Sequence, residues 1–197
     1  RVATALAVVV LLMGFASTAS AQQAPPPPFV CNTSVAVPPA LRAEGLTELV
    51  GDIVLTCTGG TFIEDGQNVP VANFTVFLGA NVTSRLLGTD NVSNASEALL
   101  LIDEPGTGTT GARPFVVAES PRFGCPGAAV GPCVAPGPNV YHGLVSGNSV
   151  SFIGVPINPP GTNTQRVFRI TNVRVNASVI GSGTGGIPGT VQAFISI

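Results

Sequence analysis

Lysine and tryptophan are absent from this chain, histidine, tyrosine and methionine occur once each, and charged side chains make up 9% of 197 residues. An average soluble domain carries about 25% charged residues. All eight basic residues are arginines. Without lysine there is no P-loop, no Schiff-base chemistry and no Lys–Asn isopeptide cross-link. With a single histidine, any Ser-His-Asp or Cys-His arrangement has to use His142. That residue alternates with Val140 and Leu144 in NVYHGLV, which puts it on an apolar strand face. The neighbouring GLVSG lacks the G-x-S-x-G form of a nucleophile elbow, so His142 reads as structural rather than catalytic. A net charge of −2 gives no electrostatic attraction toward nucleic acid or an anionic membrane surface. A composition of 45% hydrophobic residues with so little charge is equally unlike a disordered chain.

The N-terminal segment has a positive start, an apolar run over 5–12 and a small-residue stretch ending Ala19-Ser20-Ala21. That is the layout of a secretory signal peptide over 1–21, with Gln22 as the mature start. The apolar run is shorter than the ~20 residues of a spanning helix, which argues against a membrane anchor. The chain opens on Arg1 and stops inside the alternating run VQAFISI, so a longer parent chain, truncated here at its C-terminus, is expected. QQAPPPP (22–28) is read as a proline-rich linker in an extended conformation.

Export makes sense of the cysteines. Cys31, Cys57, Cys125 and Cys133 form an even set in a chain bound for an oxidising compartment, where disulfides persist. Their spacing lacks the C-x2-C pairs of a zinc site and the C-x-x-C of a redox dithiol. Four cysteines allow three connectivities; Cys31–Cys57 and Cys125–Cys133 are favoured because each pair is local. No metal or cofactor is expected.

From Phe29 onward the hydrophobic period is two. In TELVGDIVLTC (47–57), Leu49, Ile53, Leu55 and Cys57 share one strand face; in FVCNTSVAV (29–37), Phe29, Cys31, Thr33, Val35 and Val37 do so. VANFTVFL (71–78) turns Phe74, Val76 and Leu78 to one side, while EALLLI (97–102) is apolar on both, as in a central covered strand. NVYHGLV and SVSFIGV flank a hairpin loop at Ser146-Gly147-Asn148. In RVFRITNVRVNASV (166–179) the apolar parity changes, from Phe168 and Ile170 to Val173, Val175 and Ala177, which predicts a β-bulge near Thr171 or Asn172. After GSGTGGIPG (181–189) a last strand covers 190–197, and a short turn is the one non-strand element expected, near 39–44. About eight strands at this spacing predict an all-β sandwich of two mainly antiparallel sheets over 29–197, with a long Gly/Pro-rich loop at 103–138.

Two acidic pairs, Glu64-Asp65 and Asp103-Glu104, each end a strand at a turn. Neighbouring carboxylates on a strand point opposite ways, which does not suit glycoside hydrolysis, and neither stretch has the spaced oxygens of a calcium loop. Turn chemistry is the simpler reading. Sequons at Asn32, Asn73, Asn81, Asn91, Asn94 and Asn176 arise readily by chance in an Asn/Ser/Thr-rich chain and carry no argument.

The strings TELVGDIVLTCTGGT (47–61), SEALLLIDEP (96–105) and FRITNVRVNAS (168–178) together resemble a group of exported, uncharacterised, β-rich bacterial surface proteins. The resemblance covers most of 29–197 and implies a cell-surface setting; it brings no catalytic residues. The expectation is a non-catalytic structural or adhesive domain. It would associate with itself or with a surface partner through the C-terminal strand, where Val191, Ala193, Ile195 and Ile197 alternate. The alternative is a carbohydrate-binding module using the 103–138 loop, against which stands the scarcity of stacking rings, with Tyr141 the single tyrosine.

Overall fold

The computed structural model describes residues 25, 27–35, 39–64, 67, 69–87, 94–104, 139–180 and 190–197. Among them the chain is all-β, with pairing antiparallel throughout. Its strands are β1 (Val30–Val35), β2 (Glu48–Leu49), β3 (Ile53–Gly59), β4 (Val71–Leu78), β5 (Ala95–Ile102), β6 (Val140–Ser146), β7 (Ser149–Pro156), β8 (Gly161–Thr171), β9 (Arg174–Val175) and β10 (Ala193–Ser196). Eight of these form one sheet in the order β1-β3-β8-β5-β6-β7-β4-β10, and β2 with β9 makes a two-stranded ribbon. The signal peptide expected over 1–21 and most of the 103–138 loop lie outside the described residues.

The large sheet curls. Three strands separate β8 from β4, so a flat sheet at about 4.8 Å per strand would hold them roughly 19 Å apart. Phe168 on β8 and Phe74 on β4 nevertheless sit with ring centroids 5.1 Å apart. The alternation explains why. Ile53, Leu55 and Cys57 on β3, Phe74, Val76 and Leu78 on β4, and Ala98, Leu100 and Ile102 on β5 all lie on the concave face and are buried. Rolling the sheet is how a single layer covers its own apolar side. The reading of 71–78 as a strand with Phe74, Val76 and Leu78 inward is matched residue for residue by β4. β5 lies inside the sheet as its two-sided apolar pattern implied, with Leu99 and Leu101 half-buried on the convex face.

Two expectations change. TELVGDIVLTC is not one strand: it breaks at 50–52 into β2 and β3. Its partner breaks at the same level, between β8 and β9. Ile53 pairs with Ile170 before the break and Glu48 with Val175 beyond it, and Val50 N–H donates to the Val173 carbonyl at 2.9 Å between them. The register is the same on both sides, so no extra residue is inserted, and the β-bulge expected near Thr171 or Asn172 is absent. The parity change is real, but it comes from rotation: Asn172 adopts φ +58° and swings the ribbon so that Val173 and Val175 are buried instead. The Ser84 hydroxyl holds this joint, donating to the Asn172 carbonyl at 3.1 Å and accepting from Arg174 N–H at 2.9 Å.

The β6–β7 hairpin is tighter than expected. Ser146 pairs with Ser149, which leaves a two-residue Gly147-Asn148 turn with positive φ at Gly147 alone, the type II′ pattern. True bulges occur elsewhere. On β7, Gly154 (φ +67°) is the extra residue, and its N–H donates to Asn73 Oδ1 at 3.0 Å. A turn does occur near 39–44, closed by Gly45 N–H to the Arg42 carbonyl at 2.9 Å. A short 3₁₀ turn over Ala177–Val179 was not anticipated; the Asn176 side chain caps it.

Candidate functional site

Cys31 and Cys57 face each other directly across β1 and β3 and form a disulfide, the pairing favoured from the sequence. It closes a separation of 26 residues, which by the chain-entropy estimate is worth about 3–4 kcal/mol. Beside it, Pro27 and Pro28 of the proline-rich stretch run along Gly59-Gly60, with Gly60 N–H donating to the Pro27 carbonyl at 2.8 Å. Gly59 is required there: its φ is +80°, and a Cβ would collide with the Pro28 carbonyl. Cys125 and Cys133 lie outside the described residues.

The second acidic pair does more than make a turn. Asp103 and Glu104 both adopt positive φ, +53° and +48°, just past the end of β5. This sends one carboxylate to each face of β8. Asp103 forms an ion pair with Arg166, whose side chain is 5% exposed, and its Oδ1 accepts from Val167 N–H at 2.9 Å. Arg166 also donates to the Asn158 carbonyl at 3.2 Å. On the other face Glu104 takes Arg169 in a two-pronged grip at 2.5 and 2.6 Å, and Asp52 binds the same guanidinium at 2.9 Å. Hydrogen bonding to Glu104 above all, then to Asp52, holds the Arg169 guanidinium above its ordinary range despite the opposing effect of burial. A third group joins Glu97, Arg174 and the Arg85 backbone. Sequence reading missed this set, although a signal was present. Arg166 shares parity with Phe168 and Ile170, and an arginine on a buried strand face calls for a carboxylate.

His142 is also engaged structurally. Its Nδ1 lies 3.0 Å from the Ser96 carbonyl, and the Ser96 hydroxyl donates to the Gly143 carbonyl at 2.8 Å. Together they pin an irregularity in the β5–β6 ladder, where register shifts between Ala95 and Leu99. Glu64 is exposed at a turn in which its carbonyl accepts from Gln67 N–H at 3.2 Å; Asp65 lies outside the described residues. Of the sequon asparagines, Asn32, Asn73 and Asn81 are exposed; Asn73 accepts from Gly154 N–H and Asn94 donates to the Val145 carbonyl, both distant in sequence, Asn176 accepts from Ser178 N–H, and Asn91 is outside the described residues. Tyr141 packs against the core.

Among the described residues, what remains available are the ends of the sheet. β1 and β10 are its terminal strands, and neither contains a charged residue or a proline. Natural edges are usually blunted by charge, proline or a bulge. Here the registers of β1 on β3 and of β10 on β4 run without a shift. Phe194 on β10 is 68% exposed and stands opposite Phe77 on β4, itself 45% exposed, on the convex face. On the concave side, between the two sheet ends, lies an apolar cleft of about 300 Å³ bordered by Val35, Leu41, Ile53, Leu78 and Val191. Among the described residues no three His, Cys, Asp or Glu side chains converge as a metal site would require, and no helix is long and apolar enough to cross a membrane.

Compared with known protein families, with curated proteins and with solved structures, the chain gives no match.

Proposed function

We propose that this chain is a non-catalytic structural or adhesive domain that works outside the cytoplasm, at a bacterial surface. The observation that carries the reading is the division of labour among its side chains. Asp103, Glu104, Asp52 and Glu97 are bound to arginines, and His142 to backbone, while apolar Phe77, Phe194, Val30 and Val35 are exposed at the sheet ends. Acid–base groups held in this way are poorly placed to move protons to a substrate. An uncharged, apolar edge is well suited to contact. The Cys31–Cys57 bridge supports an oxidising compartment. The two halves of the curled sheet, β1-β3-β8 and β7-β4-β10, are read as the two layers of a β-sandwich.

The test combines location and contact. Fractionation of producing cells, followed by thiol titration of the denatured protein, is expected to place the chain outside the cytoplasm with no titratable thiol. Particles coated with it should be retained on apolar surfaces, and raising the salt should not release them, because there is little charge to screen. Cytoplasmic protein with four free thiols, or retention lost on adding salt, overturns the reading. The carbohydrate-binding alternative rests on the 103–138 loop, of which 105–138 lies outside the described residues. The alkyl lining of the cleft does not favour sugar, and binding on a glycan array would revive that alternative.

A further inference from the structure

We propose that the outer edge of β10 is a homodimerisation site, at which β10 of one copy adds antiparallel to β10 of a second, with Phe194 opposite Phe194 across a two-fold axis. This deepens the reading above by naming one partner of the exposed edge, and it rests on that reading only for its biological setting.

Backbone geometry comes first. Gly79 N–H donates to the Gln192 carbonyl at 2.9 Å, and the β10–β4 register pairs Ala193 with Leu78 and Phe194 with Phe77. Antiparallel ladders alternate, so the polar groups of Gln192, Phe194 and Ser196 face β4 while those of Ala193 and Ile195 face outward. A strand added at this edge meets a regular row of donors and acceptors. Among the described residues nothing pairs with that row.

Symmetry then fixes the register. A two-fold axis perpendicular to the sheet maps the convex face onto itself, so residues facing each other must share parity. Phe194 opposite its own copy satisfies this as a non-hydrogen-bonded pair, with Ala193 and Ile195 of opposite copies exchanging the flanking hydrogen bonds. The row Phe77–Phe194 then continues into Phe194–Phe77 of the second copy, and the two rings exposed on each copy, four in all, cover one another.

Charge permits the arrangement. In a symmetric pairing every charged residue near the axis would meet its own copy, and TVQAFISI (190–197) has none. β1 is the poorer mate for β10: of its convex positions Val30, Asn32 and Ser34, two are polar and none is aromatic. Pairing one short edge buries less than the roughly 1,200–2,000 Å² of a standard interface, so association should be weak and suited to crowded copies.

The experiment is sedimentation equilibrium of the whole chain from micromolar to millimolar concentration, beside three variants. The average mass is expected to rise to twice that of the monomer and stop. Phe194→Glu, which sets like charges face to face, and Ala193→Pro, which removes an outward N–H without touching the β4 ladder, should stay monomeric with unchanged circular dichroism. Leu46→Glu, at an exposed apolar residue elsewhere, should behave as the parent. A constant monomer mass overturns the proposal, as does growth past the dimer, which would mean β10 pairing with β1. Dimerisation of Phe194→Glu at the parent's concentration overturns it too. A monomer that is still extracytoplasmic and retained on surfaces ends this inference and leaves the functional reading standing; a cytoplasmic chain that dimerises does the reverse.

Discussion

The middle of the sheet and its two ends follow opposite rules. In the middle, β8 carries an arginine on each face, and each is met by a carboxylate from the residues just past β5. At the ends, β1 and β10 carry no charge, and Val30, Val35 and Phe194 are exposed. Soluble proteins more often keep charge at the edges and alkyl groups in the centre. Scarce charge here serves to fix the β5–β8 junction, and solvent-facing edges are left neutral. The ends also differ from each other. β1 is bonded covalently to β3 through Cys31–Cys57, whereas β10 has only a four-residue ladder on β4.

Substitutions can break this contrast, and their effects should fall from centre to edge. Phe168→Ala removes a ring that bridges the two halves of the curled sheet and should cost about 3–5 kcal/mol in denaturant unfolding. Asp103→Asn leaves Arg166 buried without its counter-ion; a loss of about 3–5 kcal/mol is expected, and Arg166→Met in the same background should recover much of it. Replacing Cys31 and Cys57 together by alanine should cost about 2–4 kcal/mol. Its hydrogen exchange should quicken mainly in β1, while β10 is unaffected. Glu104→Gln acts on a pair that is partly in solvent and keeps Asp52 as a second partner, so thermal unfolding should register about 1 kcal/mol or less. Equal costs for the Asp103 and Glu104 variants would erase the distinction drawn between the two faces of β8.

Much of the fold was legible because burial on one face writes itself into every second residue. β4 and the inward set of β3 could be read directly from VANFTVFL and DIVLTC. The Cys31–Cys57 pairing was legible because both residues fell on the inward parity of adjacent strands. What alternation could not supply was anything set by backbone rotation. The left-handed residues Asn172, Asp103 and Glu104 look like ordinary strand or turn positions in the sequence. Yet the first of them moves β9 to a separate ribbon, and the other two make the ion pairs. The curl was hidden for a similar reason: a sheet that rolls and two sheets that face each other leave the same pattern along each strand. The open edges were half legible. The apolar alternation of VQAFISI pointed to sheet completion, but the exposed Phe77 that extends the patch is visible only once β10 is seated on β4.

Amide hydrogen exchange read across a concentration series tests the central claim most directly. The account predicts that β5 and β8 exchange slowest at every concentration. The β10 amides that point outward, Ala193 and Ile195, should exchange fast in dilute protein and become protected as concentration rises. Protection of those two amides that is already high in dilute protein, or that never changes with concentration, would contradict it.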